Sequence, residues 1–249
     1  MKQEYRIDAE RFLEAVDTVI IEKRDRNGIG RLGEKVLHAA LKIYFEPNRL
    51  CHEVKVGSHV ADIANDDGII EIQTGSFSPL KNKLAAFLPD HKVTVVHPIP
   101  NKRRLIWIDQ NGEFSAPRTS PVRRPVMRVF AELVKILPYL KHENFRFCLV
   151  TLDLEEYRTV SKNGGKGRGT RRYERIPTAL CEEILFQKPA DYAALLPKEL
   201  PSEFDAKTFA KVTKLKGLAL SAALKVLTEL CVFERHREGR AGYVYKRLL

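Results

Sequence analysis

The stretch VADIANDDGIIEIQT, residues 60–74, constrains the fold more than any other part of the chain. Two apolar runs flank Asn65-Asp66-Asp67-Gly68, a tetrapeptide with the composition of a tight hairpin turn. With Asp66-Asp67 as a two-residue loop, 65 pairs with 68, 64 with 69 and 63 with 70, so Asp62 comes directly opposite Glu71. With Asp67-Gly68 as the loop, Asp62 faces Gln73 and Glu71 faces Ala64. Asp62, Glu71 and Gln73 still share a face in that register, because side chains alternate with period two. Directly opposed side chains stand about 5 Å apart at Cβ, where like charges repel. A divalent cation with oxygen ligands reverses that sign. Ile69, Ile70 and Ile72 suggest a buried central strand around Glu71 rather than an exposed edge.

The 249 residues suffice for one ordinary core and a smaller appended domain. Their 43 Lys and Arg against 32 Asp and Glu, a formal charge of +11, favour a polyanionic partner, and nucleic acid before a membrane. No run approaches the roughly 18 apolar residues of a spanning helix, and the first residues lack the apolar segment of a secretion signal. The expectation is a cytoplasmic protein with no membrane partner. Cys51, Cys148, Cys181 and Cys231 are far apart in apolar surroundings and read as reduced, small hydrophobes. The histidines show no HxxxH or HExxH pattern, which argues against a zinc enzyme.

Phe12, Leu13, Val16, Val19 and Ile20 recur at helical spacing over residues 8–23. A second helix over about residues 31–45 places Leu37, Leu41 and Tyr44 or Phe45 on one side, with Glu34 one turn before Leu37 and Leu41, and Pro47 ends it. Three short strands follow, 50–56, 59–64 and 69–74, then a helix near 79–88 capped by Ser78, and an apolar strand over 92–97. A separate strand at 104–109 precedes a proline-rich basic loop and a helix reaching about residue 140, and 145–152 is a further strand candidate. SKNGGKGRGTRRYER, residues 161–175, reads as a loop that becomes ordered on a polyanion.

From about residue 189 the pattern changes to a short helix, a helix capped by Asp205, a turn at Lys216-Gly217, a third helix and two strands around a basic hairpin. That is the plan of a winged helix. From residue 205 onward ten basic residues stand against four acidic ones, which favours DNA over a protein contact. Candidate DNA contacts there are Lys207, Lys214 and Lys216 before and in the turn, Ser221 and Lys225 on the outward side of the third helix, and Arg237 and Arg240 around the wing. Arg123 and Arg124, and Lys166, Arg168, Arg171 and Arg172 in the glycine-rich stretch, are further candidates.

The order of elements and the acidic residues resemble the PD-(D/E)XK nuclease superfamily over about residues 30–155. The resemblance implies an α/β, restriction-endonuclease-like mixed sheet flanked by helices, here followed by a C-terminal winged helix-turn-helix domain. It implies that Glu34 is the helix-borne Glu, that Asp62 and Glu71 are the shared metal ligands, and that the Ile72 carbonyl is the third protein oxygen. Gln73 stands where the motif usually has Lys; it is neither cation nor base near neutral pH, so its task would be to orient the attacking water. Lys55, Lys81 and Lys83 are candidates for the missing charge. The expected partition is 1–155 for the nuclease-like domain with its N-terminal helix, 156–188 for a basic Gly-rich loop and linker, and 189–249 for the winged helix. The expected function is a Mg2+-dependent (or Mn2+-dependent) endonuclease on duplex DNA, acting alone, as a homodimer or with a partner subunit. The alternatives are a catalytically silent DNA-binding protein or an RNA-directed nuclease.

Overall fold

The computed structural model describes residues 8–25, 35–121, 125–160, 170–237 and 242–248. Helix α1, Ala9–Asp25, begins where the Asp8 carboxylate accepts the Arg11 N–H at 2.9 Å, and it buries Phe12, Val16 and Val19 as their spacing predicts. Leu13 is left 44% exposed. Helix α2, Val36–Phe45, buries Leu37, Leu41 and Tyr44, and α1 and α2 cover one face of a sheet against Ile72, Val96 and Val150.

Among the described residues that sheet has seven strands: β1 (His52–Val56), β2 (His59–Asn65), β3 (Gly68–Ile72), β4 (Val93–Ile108), the short β5 (Arg118–Thr119), β6 (Phe145–Val160) and β7 (Thr170–Phe186). Its order is β1-β2-β3-β4-β6-β7, with β5 attached to β4. The β1–β2–β3 meander is antiparallel, β3–β4 and β4–β6 are parallel, and β6–β7 is antiparallel. Each parallel step needs a crossover. Helix α3, Leu80–Phe87, makes the first, and a helical run with α4, Phe130–Leu133, at its centre makes the second. Leu80, Leu84, Phe87, Phe130 and Leu133 pack on the opposite sheet face, against Val93, Val95 and Phe147. The architecture is α/β, a mixed sheet between helices.

The C-terminal part holds a 3-10 turn at Pro189–Leu195, β8 (Glu203–Asp205), α5 (Ala206–Thr213), α6 (Gly217–Glu229), β9 (Phe233–Arg237) and β10 (Tyr243–Arg247). Its strands form a separate sheet in the order β8-β10-β9. Asp205 caps α5 as its position predicts, accepting the Thr208 N–H at 2.7 Å. Helix α6 lies against α4, and Ala219, Ala223, Val226 and Leu227 join the same buried cluster as Phe87 and Phe130. The C-terminal elements therefore share a core with the α3–α4 face of the large sheet.

Four local expectations are corrected. The strands expected at 92–97 and 104–109 are one strand, β4, with an irregularity between Pro100 and Arg103. Its prolines are tolerated because Val96 faces β3, accepting the Gln73 N–H, and Pro98 and Pro100 have the same parity on a flank where β3 has already ended. The span expected to be loop and linker, 156–188, contains the end of β6 and all of β7, although residues 161–169 lie outside the described residues. The helix expected to reach residue 140 is a 3-10 turn, one short α-helix and a second 3-10 run that carries Pro138. Ser78 does not cap α3, which starts after Pro79 without a side-chain cap bond.

Candidate active site

The β2–β3 hairpin adopts the two-residue Asp66-Asp67 loop, with Asn65 opposite Gly68, Ala64 opposite Ile69 and Ile63 opposite Ile70. Gly68 is required here, since its φ is +128° and a Cβ would come within 2.4 Å of the Lys92 carbonyl oxygen. One further step in this register places Asp62 opposite Glu71, just past the last paired residues. There a side chain replaces the ladder: the Ile72 N–H donates to Asp62 Oδ2 at 2.7 Å. In an extended strand a residue's N–H and C=O point the same way, so the Ile72 carbonyl also opens toward Asp62.

Helices on the two sheet faces complete the site. His38 of α2 brings Nε2 to 3.2 Å from Asp62 Oδ2. Lys83 of α3 donates to both Glu71 oxygens, at 3.0 and 2.8 Å. Glu71 is 2% exposed, and burial, followed by the charge of Asp62, pushes its carboxyl up from the ordinary 4.5 to about 7 against the pull of Lys83. Burial also works against the Asp62 charge, but the hydrogen bond and charge of His38, the Ile72 N–H and the charge of Lys83 outweigh it and hold Asp62 below the usual carboxylate range. The two carboxylates thus differ in their proton affinity, and near neutral pH only Asp62 is fully ionised.

Gln73 departs from its expected task. Its backbone N–H and carbonyl bind the Val96 carbonyl and His97 Nδ1, and its side-chain amide donates to the Ser76 carbonyl. The side chain ties down the loop after β3 instead of facing the acid pair. Of the three lysines expected near the acids, Lys83 is the one whose ammonium pairs with Glu71. His38 was not legible, because a histidine within an amphipathic helix carries no motif of its own.

Among the described residues no three His, Cys, Asp or Glu side chains converge as a metal-binding group. Asp62 and Glu71 are a pair, and Glu34 lies outside the described residues, as do Arg123, Arg124, Lys166, Arg168 and Arg240. The side chain of Arg171 is likewise not described. The pair nevertheless suits a divalent cation: burial and then the charge of Asp62 raise the Glu71 pKa, a backbone carbonyl opens toward Asp62, and Asp62 Oδ1 accepts no hydrogen bond from the described residues. Of the expected DNA contacts, Arg172 is exposed on β7, with Nε 3.8 Å from Glu156, and Lys207, Lys214, Lys216, Ser221, Lys225 and Arg237 are exposed on the C-terminal elements.

A pH dependence follows. Because the fold raises the Glu71 pKa, ionising Glu71 costs stability progressively as pH rises from about 4.5 to about 7, with no further loss above that. Manganese affinity, measured calorimetrically, is expected to rise by up to about tenfold per pH unit below 7 and to level off above it. A flat profile between pH 5.5 and 7.5 would show that Glu71 is not a ligand.

The profile of a family described as a domain of unknown function, DUF8091, matches residues 35–187, from the residue before α2 to the residue after β7. An uncharacterized protein of Treponema pallidum (strain Nichols) is 28% identical over 176 residues, covering 69% of each chain. No solved structure matches. No helix among the described residues is long and apolar enough to cross a membrane.

Proposed function

The chain belongs to the DUF8091 family, and for it we propose metal-dependent hydrolysis of phosphodiester bonds in DNA on a restriction-endonuclease-like scaffold. The observation that carries this reading is the junction of Asp62, Glu71 and Lys83: two carboxylates from adjacent strands, one of them buried and held against a lysine from the neighbouring helix. Glu71 lies near the end of β3, which runs parallel to β4, and crevices outside the carboxyl ends of such strands are where open α/β sheets bind ligands.

Asp62, Glu71 and the Ile72 carbonyl would hold Mg2+ or Mn2+, which supplies Lewis acidity and an activated water. Lys83 would neutralise the phosphate oxygen nearest Glu71, the task of the motif lysine that Gln73 does not perform. His38 would fix the Asp62 carboxylate, and the Gln73–Ser76 and Gln73–His97 bonds would hold the strand end rigid. Cleavage of a supercoiled plasmid in Mg2+ or Mn2+ tests the reading, with EDTA abolishing the reaction.

The C-terminal helices and wing-like hairpin would place the protein on duplex DNA as a winged helix. Ser221 and Lys225 are exposed on α6 while Ala223, Leu224 and Leu227 are buried, so only a narrow stripe of α6 is left for a partner. Duplex affinity is expected to fall linearly with log salt. Replacing Lys214 and Lys216 together with alanine should reduce the slope by about 2, at about 0.9 per phosphate contact. An unchanged slope in a fluorescence-anisotropy titration would remove these lysines from the interface.

A catalytically silent DNA-binding protein is the second reading. It is favoured by Lys83 neutralising both Glu71 oxygens and by the turn of Gln73 toward Ser76. DNA binding without metal-dependent cleavage, across duplex, single-stranded and RNA substrates, would select it.

A further inference from the structure

Beyond the end of β3 the sheet has a notch. Ile72 pairs with Val96, whereas β4 and β6 continue side by side to Ile108 and Thr159. The flank of β4 vacated by β3 opens into a cavity of about 540 Å3, closed by β5, by the segment around Arg128 and Glu132, and by the β6–β7 pair. That volume is within the range of small-molecule sites, about 300–1,000 Å3, and far exceeds what a metal ion needs.

The cavity carries an excess of positive charge. Lys102, Arg103, Arg128, Arg172 and Arg175 line it against two acids, Glu132 and Glu156. Both acids already have partners. Glu132 accepts the Phe77 N–H at 2.8 Å and Lys135 at 2.7 and 2.8 Å. Glu156, 1% exposed, takes Arg158 at 2.5 Å, with Arg103 at 3.5 Å and Arg172 at 3.8 Å. Arg175, opposite Glu156 in the β6–β7 ladder, is half-buried and makes no ion pair among the described residues. Burial and then the charge of Arg172 pull its guanidinium down to about 10, against the smaller opposing pull of Glu156 and Glu174. The half-buried Arg175 guanidinium, desolvated and repelled by the charge of Arg172, is costly until an anion arrives.

Edge protection accounts for only part of this arrangement. β7 ends the sheet, and exposed cations there deter edge pairing, which suits Arg172. Arg103 and Arg175 are half-buried and line a cavity, where they offer no such protection. His97, also in the lining, has its pKa lowered by burial while Nδ1 binds the Gln73 carbonyl, so the excess charge comes from Lys102 and the arginines. Thr119 and Ser120 add hydroxyls, and Pro98, Ile99 and Val129 form an apolar wall.

We infer that this notch is a phosphate-binding site in which Arg175 and Arg172 hold the phosphate oxygens and Glu156 orients Arg103 and Arg172 beneath them. Guanidinium forks match phosphate oxygens bidentately, and the apolar wall suits the nucleoside of a phosphate ester. The site is separate from the Asp62–Glu71 chemistry, so its test is run in EDTA, where failure of metal-dependent cleavage has no bearing on the result.

The full chain is titrated calorimetrically at low salt with inorganic phosphate, a 5′-mononucleotide, and one oligonucleotide with and without a 5′-phosphate. Binding of at least one probe is expected, weakened about tenfold or more in Arg175→Gln and unchanged in Lys198→Gln, a surface control. Binding of phosphate and the mononucleotide alone assigns a free phosphate ligand. Preference for the phosphorylated oligonucleotide assigns a strand terminus. Equal Arg175-dependent binding of both oligonucleotides assigns a backbone phosphate. If Arg175→Gln fails to fold, Arg172→Gln at its exposed position carries the same expectation. The inference is overturned if no probe binds, or if the folded arginine variant binds every probe as the wild type does.

Discussion

Metal-dependent cleavage by Glu71→Gln is expected to fall about 10³-fold, and Asp62→Asn to fall comparably, with the double variant little worse than either. Residues that hold one cation act as a unit, so their losses do not add. The stability of these variants separates chemistry from folding. Glu71→Gln removes a charge that the fold disfavours and releases Lys83, whose side chain is 28% exposed and can turn into water, so stability should change by less than about 1 kcal/mol. Lys83→Met does the opposite. It leaves Glu71 buried without its cation, which raises its pKa further and makes the variant lose stability as pH rises through 7 and beyond. Activity lost in both variants, with pH-dependent instability only in Lys83→Met, is the expected pattern. Chemical denaturation at pH 5.5 and 8 together with plasmid cleavage reads it out.

Phe130→Ala is expected to cost about 3–5 kcal/mol and to shift a single unfolding transition that includes the C-terminal helices. Phe130 is fully buried on α4, against which α6 packs, within a cluster that runs from the large sheet to Phe204, Phe209 and Phe233. Removing its ring from such a site forfeits the transfer energy and leaves a cavity. A scanning-calorimetry trace with two transitions, only the first of them moved by the substitution, would show instead that residues 189–249 fold as an independent unit.

The acid pair was legible because hairpin chemistry is local: in either register that the turn residues allow, period-two alternation puts Asp62 and Glu71 on one face, and the structure takes the Asp66-Asp67 loop. The Asp205 cap and the outward placement of Ser221 and Lys225 on α6 were legible for the same reason. What escaped depends on neighbours distant in sequence. Pro98 and Pro100 argue against a continuous strand unless one knows that β3 has ended beside them. Thr170 to Arg175 read as part of a glycine-rich loop because their pairing with β6 is not encoded in their own apolar pattern. The motif places Gln73 beside the acid pair, while the acceptor of its side-chain amide, the Ser76 carbonyl, follows from a loop conformation that no spacing rule supplies. The arginine notch gathers residues from β4, β6, β7 and the second crossover, and only the topology brings them together.

Whether Asp62 and Glu71 share a cation is decided by the anomalous difference map of a crystal soaked in manganese above pH 7. A peak is expected within about 2.3 Å of Asp62 and Glu71 oxygens, with the Lys83 ammonium displaced from at least one Glu71 oxygen. Density that leaves Lys83 on both oxygens, with no peak beside Asp62 at saturating manganese, would contradict it.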